Sequence, residues 1–237
     1  MENRTTVSYV ILKYDKKSDG IYKKTVNDNN GKFKIPNFKF SSSNNMTTND
    51  LKMEIMEYLR FVDAGIDIDH LFIPFVNLSI SRDLKTYNYS AIVFESDRDV
   101  FATVNNESWR LVQYDKVSQT WILPWQRGMN QTADIKISNS SSINYVANPN
   151  LQDDRIDFCN TMHFIIRKMQ EFPILGLLSG MEFTRNEVLH YQKLLGLENV
   201  DIKTSSAFES KYSDSIQAIS DNNFDKIYKI KDKYLQK

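Results

Sequence analysis

The chain has 237 residues, 41% of them hydrophobic and 25% charged, and its 30 basic residues balance 30 acidic ones. That length fits one large domain, or one of about 150 residues joined to a smaller one. The zero net charge excludes a general nucleic-acid magnet, so any surface of that kind must be local. A single cysteine, Cys159, excludes an intramolecular disulfide and a cysteine zinc cluster. The N-terminus, MENRTTVSYVILKYD, has neither the apolar core nor the cleavage site of a secretory signal. No apolar run approaches the roughly 18 residues of a membrane span. These features predict a cytoplasmic protein with no membrane partner. Glycine (7) and proline (5) are scarce, which argues against a dinucleotide fold built on a glycine-rich loop.

In chain order, Val7 to Tyr14 reads as a strand, Gly20 as part of a turn, and Ile21 to Val26 as the returning strand. Gly31 to Phe40, GKFKIPNFKF, alternates lysine with apolar residues and predicts one half-buried strand. After the polar run SSSNNMTT, Thr48 or Asn49 is placed to cap a helix over Asp50 to Asp63. Leu51, Ile55, Leu59 and Val62 fall at helical spacing, and Gly65 is the expected stop. His70 to Ile80, Tyr87 to Glu95 and Ser108 to Val112 predict further strands, and Asp115 to Trp125 is ambiguous. Met129 to Pro149 reads as an irregular loop or hairpin excursion.

A second helix is predicted over Arg155 to Phe172, with Ile156, Met162, Ile165, Ile166 and Met169 as its apolar set, broken by Pro173 and Gly176. Thr184 with Glu187 has capping-box spacing, and Arg185 to Leu195 follows as a helix ended by Gly196. Asp201 to Ile219 can hold another helix, and FDKIYKIKDKY at 224–234 predicts a terminal strand or hairpin. No internal repeat is read. The pattern is mixed α and β over 1–150, then helices followed by a small β element over 151–237.

Several of these segments resemble the Nudix-related transcriptional regulators. Ile35-Pro36 and Gly65-Ile66 stand at the two ends of the region corresponding to the family's metal-binding helix, and SWRLVQYD at 108–115 is similar to a late strand. In the C-terminal half, Met162-His163, Ile165-Ile166, Pro173 to Leu178, Phe183-Thr184, Glu187-Val188, Tyr191, Leu194-Leu195-Gly196 and IYKI at 227–230 keep the family's order. The resemblance implies an α+β fold: a Nudix-like mixed-sheet α/β/α sandwich over 1–150, and a linker helix with a C-terminal winged helix-turn-helix over 151–237.

The match fails where the family's chemistry resides. Asn37 and Phe38 replace the phosphate-facing glycines, Tyr58 and Leu59 the Arg-Glu pair, and Val62 and Asp63 the Glu-Glu pair. Hard oxygen ligands are what hold Mg²⁺, so the expectation is a domain with no catalytic residue and no metal. The implied function is a ligand-responsive regulator. As a homodimer it would bind a double-stranded DNA operator and answer to a nucleotide-derived, ADP-ribose-like effector.

Candidate DNA contacts are Arg185, Asn186, Lys203, Thr204, Ser205, Ser206, Lys211, Lys226 and Lys229, and candidate ligand contacts are Lys34, Asn37, Asp63 and Trp109. The footprint is thin, because residues 184–237 carry 9 basic and 8 acidic side chains. Residues 1–40 carry 9 basic and 4 acidic, a surplus that fits a phosphorylated ligand or, more commonly, guarded strand edges.

The alternative is a divergent Nudix hydrolase cleaving a nucleoside diphosphate derivative such as ADP-ribose, with Mg²⁺ on Asp50, Glu54, Glu57 and Asp63. A third class is a winged helix that binds protein. His163 is expected as a packed residue on an apolar helix stripe, Cys159 as a buried thiol, and Trp109, Trp121 and Trp125 as core or interface aromatics.

Overall fold

The computed structural model describes residues 2–28, 30–41, 47–62, 68–80, 84–95, 107–126, 128–133, 154–197, 202–220 and 226–235. Nine strands form one mixed sheet: β1 (Glu2–Asp15), β2 (Gly20–Asn27), β3 (Phe33–Lys34), β4 (Asn37–Ser41), β5 (Leu71–Ile80), β6 (Leu84–Glu95), β7 (Glu107–Asp115), β8 (Thr120–Gln126) and β9 (Met129–Ala133). The order is β5-β6-β1-β2-β7-β8-β9, with β3 paired to β2 and β4 to β1. Among the described residues only β1 and β6 run parallel, through twelve partners from Glu2–Leu84 to Lys13–Glu95.

The single strand expected over 31–40 is two. Its alternation is continuous, but β1 and β2 diverge: β1 pairs β2 over Leu12–Asp15 and β4 over Arg4–Ser8, while β2 pairs β3 at Val26 and Asn27. Ile35-Pro36 sits where the chain crosses from one to the other. Pro36 has no N–H to lend a ladder, and its carbonyl accepts from Tyr9 N–H at 3.1 Å.

The sheet has an apolar filling on each face because β1 alternates. Val7, Tyr9 and Ile11 face helix α1 (Thr48–Val62), meeting Leu51, Ile55, Met56 and Leu59. Val10 and Leu12 face the other way, toward helix α2 (Asp154–Lys168) and the 3-10 turn Ile174–Leu178. The cap of helix α1 is Thr47, one residue before the expected Thr48 or Asn49. Thr47 Oγ1 accepts from Asp50 N–H at 3.2 Å, and Asp50 Oδ2 accepts from Thr47 N–H at 2.8 Å, a reciprocal cap. The expected stop at Gly65 lies outside the described residues.

Helix α2 is shorter than expected and buries Phe158, Cys159, Met162, Phe164 and Ile165. His163, expected on the packed stripe, is exposed. Cys159 is a fully buried thiol. Trp121 is core, at 2% exposure.

The remainder runs β10 (Phe183–Thr184), α3 (Arg185–Leu194), α4 (Ser205–Tyr212), β11 (Ile216–Ser220), β12 (Ile227–Ile230) and α5 (Asp232–Leu235). A three-stranded antiparallel sheet has the order β10-β12-β11. The helix expected over 201–219 is therefore a helix and a strand. The break comes at Ser215, whose N–H reaches back to Tyr212 O at 2.8 Å while its carbonyl accepts from Lys231 N–H at 2.9 Å.

The chain does contain a short repeat, contrary to the reading above. Tyr14-Asp15-Lys16-Lys17-Ser18-Asp19 closes the β1–β2 hairpin and Tyr114-Asp115-Lys116-Val117-Ser118-Gln119 closes β7–β8. In each, the aspartate accepts from the serine hydroxyl, at 2.5 and 2.6 Å, and the fourth turn residue has positive φ, 50° at Asp19 and 55° at Gln119. A four-residue hairpin loop needs one left-handed position to bring the strands back into register.

Candidate functional site

The α1-facing side of the sheet carries an unusual set of cations. Strand register puts Lys13 opposite Glu95 and Lys24 opposite Trp109, on the face that holds Val7 and Ile11. Lys13 and Lys24 are 0% and 1% exposed. Their ammonium groups lie 5.6 and 5.7 Å from the centre of the Trp109 ring, within cation–π range. Lys13 Nζ donates to Glu95 Oε1 at 3.0 Å. Lys52 lies on the sheet-facing side of α1, 8% exposed, and burial lowers its pKa against the opposing pull of Asp69. Charges this deep are costly unless paired. The arrangement places buried positive charge against the Trp109 ring, and Glu95 meets the charge of Lys13.

Of the ligand candidates, Lys34 shares that face through its partner Val26, which aligns with Lys24, and it is paired with Asp28 at 3.1 Å. Trp109 is central to the face. Asn37 is exposed and stands opposite Ser8, so it belongs to the α2-facing side. Asp63 lies outside the described residues. Sequence reasoning missed Lys13, Lys24 and Glu95. Their signal was lysine recurring inside apolar strand runs, which reads by default as a solvated edge.

The hydrolase alternative draws on α1. Asp50 is engaged by Thr47, and that contact holds its carboxyl below the usual range. Glu54 and Glu57 are exposed. Tyr58 and Leu59 belong to the core layer, Leu59 at 0% exposure. Among the described residues, no group of three or more His, Cys, Asp or Glu side chains is arranged to hold a metal ion. The described part of α1 does not fit the Mg²⁺ that the hydrolase alternative requires, and Asp63, its fourth acid, lies outside the described residues.

Helix α3 is clamped by both repeated hairpins. Its start is a complete capping box: Thr184 N–H donates to Glu187 Oε2 at 2.7 Å, and Glu187 N–H to Thr184 Oγ1 at 3.2 Å. From the first hairpin, Asp19 Oδ1 contacts His190 Nε2 at 2.5 Å and accepts from the Tyr14 hydroxyl at 2.9 Å. The Tyr14 ring lies 4.8 Å from Tyr191. The His190 contact, then the Tyr14 hydrogen bond, holds the Asp19 carboxyl below the usual range. From the second, Trp121 Nε1 donates to Leu195 O at 2.9 Å and the Tyr114 ring lies against Gly196.

The DNA candidates divide by surroundings. Arg185 donates through Nη1 to the Lys203 carbonyl and through Nη2 to Asn186 Oδ1 at 2.9 Å, joining the starts of α3 and α4. Thr204 caps α4 by accepting from Ala207 N–H at 3.2 Å. Lys203, Thr204, Ser205 and Ser206 form one exposed polar run there. Lys211 lies over the Tyr212 ring at 5.6 Å. Lys226, just before β12, pairs with Glu209 of α4 at 2.9 Å, and Lys229 with Asp232 at 3.5 Å.

The bifurcated mixed sheet between α1 and the α2 layer is Nudix-like by its superposition on solved structures. No protein-family model matches the sequence, and no curated protein matches it either. Solved structures do. A MutT/nudix family protein from Enterococcus faecalis superposes with TM-score 0.68 at 17% identity, over 98% of this chain and 89% of that one. Shewanella oneidensis NrtR superposes with TM-score 0.58 at 13% identity, over 98% and 95%. NrtR complexed with a 27mer DNA gives TM-score 0.56 at 14% identity, over 98% and 95%. Among the described residues, no helix is long and apolar enough to cross a membrane.

Proposed function

We propose that this chain is a ligand-responsive DNA-binding regulator whose Nudix-like domain senses a nucleotide-derived anion and does not hydrolyse it. The observation that carries the reading is the C-terminal order of helix, strand, helix, helix and β-hairpin, with β10 joining the hairpin through β12. That order supports a winged helix, in which the second helix of the turn enters the major groove. Here that helix is α4, and Lys203 to Ser206 are the exposed groups at its start. The likeness over 98% of the chain to a regulator's structure with DNA supports the same reading. The cations around Trp109 support an ADP-ribose-like effector class. A homodimer follows from the need to read two half-sites, and the site of action is the cytoplasm.

Selection from random duplexes of about 30 bp tests it. Recovered sequences should contain paired half-sites about one helical turn or a multiple apart. Affinity should fall steeply with salt, and Lys203→Ala with Lys211→Ala should flatten the log–log slope by about 2. ADP-ribose should shift the affinity and quench tryptophan fluorescence, and Trp109→Ala should remove the effect on affinity. No enrichment together with salt-insensitive binding overturns the regulator reading. Mg²⁺-dependent cleavage of ADP-ribose overturns the non-hydrolytic one.

A further inference from the structure

The two repeated hairpins meet α3 at different ends. The β7–β8 loop holds its finish, through Trp121 on Leu195 O. The β1–β2 loop lies along its first two turns, and a groove of about 610 Å³ opens there, with Tyr14 and Lys16 on one wall and Asn186, Glu187 and His190 on the other. The groove adjoins the start of α4, because Arg185 donates both to Asn186 Oδ1 and to the Lys203 carbonyl. Acids border this path, but each carboxylate is taken up by a local partner. Asp15 accepts from the Ser18 hydroxyl at 2.5 Å, Asp19 contacts His190 Nε2 at 2.5 Å, and Glu187 accepts from Thr184 N–H at 2.7 Å. Lys16, Lys17 and Lys203 are exposed. Among the described residues, Lys16 has neither a hydrogen-bond nor an ion-pair partner. The repeat itself differs here: Lys16-Lys17 stands where the other loop has Lys116-Val117, so the loop nearer the start of α4 carries the extra lysine.

We propose that the β1–β2 hairpin of the Nudix-like domain is a second DNA contact: with α4 in the major groove, a backbone phosphate of the same duplex seats against Lys16 beside Asn186. Asn186 is next to the arginine that ties α3 to α4, so a duplex read by Lys203 to Ser206 passes the same end of α3. A phosphate at that place meets the unpaired charge of Lys16, while the nearby carboxylates are already compensated. Phosphate contacts fix register and orientation without reading sequence, so this one ties the sensing domain to the position of the DNA. Strands β1 and β2 also carry Lys13 and Lys24, which puts the cations around Trp109 and the DNA contact on the same two strands. The identity of the partner rests on the regulator reading; the groove and its charge do not.

Fluorescence anisotropy over a salt series tests the contact, on the duplex recovered by selection and on an unrelated duplex of equal length. Lys16→Ala should lower the log–log slope by about 1. It should weaken both duplexes alike, on the order of 10-fold at about 0.1 M salt. Lys116→Ala, its counterpart in the other hairpin, should leave both unchanged. Because Lys16 is exposed, neither variant should move the thermal unfolding midpoint. An iron-chelate cleavage reagent tethered at Lys16→Cys should cut the DNA backbone beside each half-site. The same reagent at Val117→Cys, 96% exposed in the β7–β8 turn, should not. Cys159, at 0% exposure, is shielded from the label. A Lys16→Ala slope equal to that of the wild type, or no cutting from position 16, overturns the proposal. An altered response to ADP-ribose at unchanged slope overturns it too, and makes the groove an effector site. A wild type that binds no DNA removes the regulator reading and this contact with it. Flattening by Lys203→Ala with Lys211→Ala but not by Lys16→Ala removes this contact alone.

Discussion

Phe38 and Tyr58 stack face to face, ring centres 3.8 Å apart and planes 13° from parallel. Under the Nudix resemblance these are the positions of a phosphate-facing glycine and of the arginine that accompanies the metal-binding acids. The two departures from the family's pattern touch. The Phe38 ring stands where the resemblance implies a bare backbone, the Tyr58 ring lies on it, and Tyr9 is edge-on to Tyr58 at 6.3 Å.

The stack should therefore matter for stability and not for chemistry. Phe38 is 8% exposed, so Phe38→Ala should cost about 3 kcal/mol, or roughly 6–12 °C in Tm, by thermal unfolding. Phe38→Gly with Tyr58→Arg restores the family's residue types but should yield no Mg²⁺-dependent diphosphatase activity, because Leu59 and Val62 offer no oxygen to a metal. Measurable turnover by that variant would sink the idea.

The Lys13–Glu95 pair should behave as a buried ion pair, with side chains 0% and 4% exposed. Removing one partner strands the other in an apolar setting, so Glu95→Leu alone should cost about 3–5 kcal/mol. Lys13→Met with Glu95→Leu should recover most of that loss. A double-mutant cycle in urea measures the coupling. A double variant whose cost equals the sum of the two single costs would show that no coupling exists.

Much of this architecture was legible in the sequence where one local rule governs. The β1–β2 hairpin follows from an apolar run with a turn, and the α3 start from Thr184 and Glu187 three residues apart. Legibility stopped where a partner far along the chain decides. Nothing local in GKFKIPNFKF says that β1 and β2 diverge and split it. Nothing in DSIQAI says that Lys231 will claim the Ser215 carbonyl and end α4. Lys13 and Lys24 were read as surface because lysine is rarely buried. The repeat of Tyr-Asp-Lys-x-Ser was in plain view but spans 100 positions, and its meaning appears only when both hairpins meet α3.

Acid should loosen the first of those hairpins. Asp19 is an acid whose folded pKa is depressed. Its contribution is present above the unfolded value near 4 and is lost as pH falls through the folded value. The Tyr14 hydroxyl, pushed up mainly by burial and then by its bond to Asp19, stays protonated and keeps donating. Asp15 and Asp115 are depressed in the same sense, so Asp19→Asn should remove only part of the acid sensitivity. Urea midpoints between about pH 3 and pH 7 should show a shallower acid limb for Asp19→Asn, and identical limbs would refute the contact.

The second hairpin predicts an asymmetry between two glycines. Gly128 and Gly196 both have positive φ, +75° and +68°. Alanine at either pays the left-handed penalty of about 1–2 kcal/mol. A Cβ at Gly128 meets nothing within 4 Å, whereas one at Gly196 falls 2.3 Å from Tyr114 Cδ1. Trp121, bonded to the Leu195 carbonyl beside it, limits how far that turn can retreat. Gly196→Ala should therefore cost at least about 3 kcal/mol, clearly more than Gly128→Ala. Tyr114→Ala removes the ring that clashes, so the Gly196→Ala/Tyr114→Ala pair should be less damaging than the sum of its parts, by about 1–3 kcal/mol. Simple additivity would mean that Tyr114 does not hold the end of α3, and the clamp would then rest on Trp121 and the Asp19 hairpin.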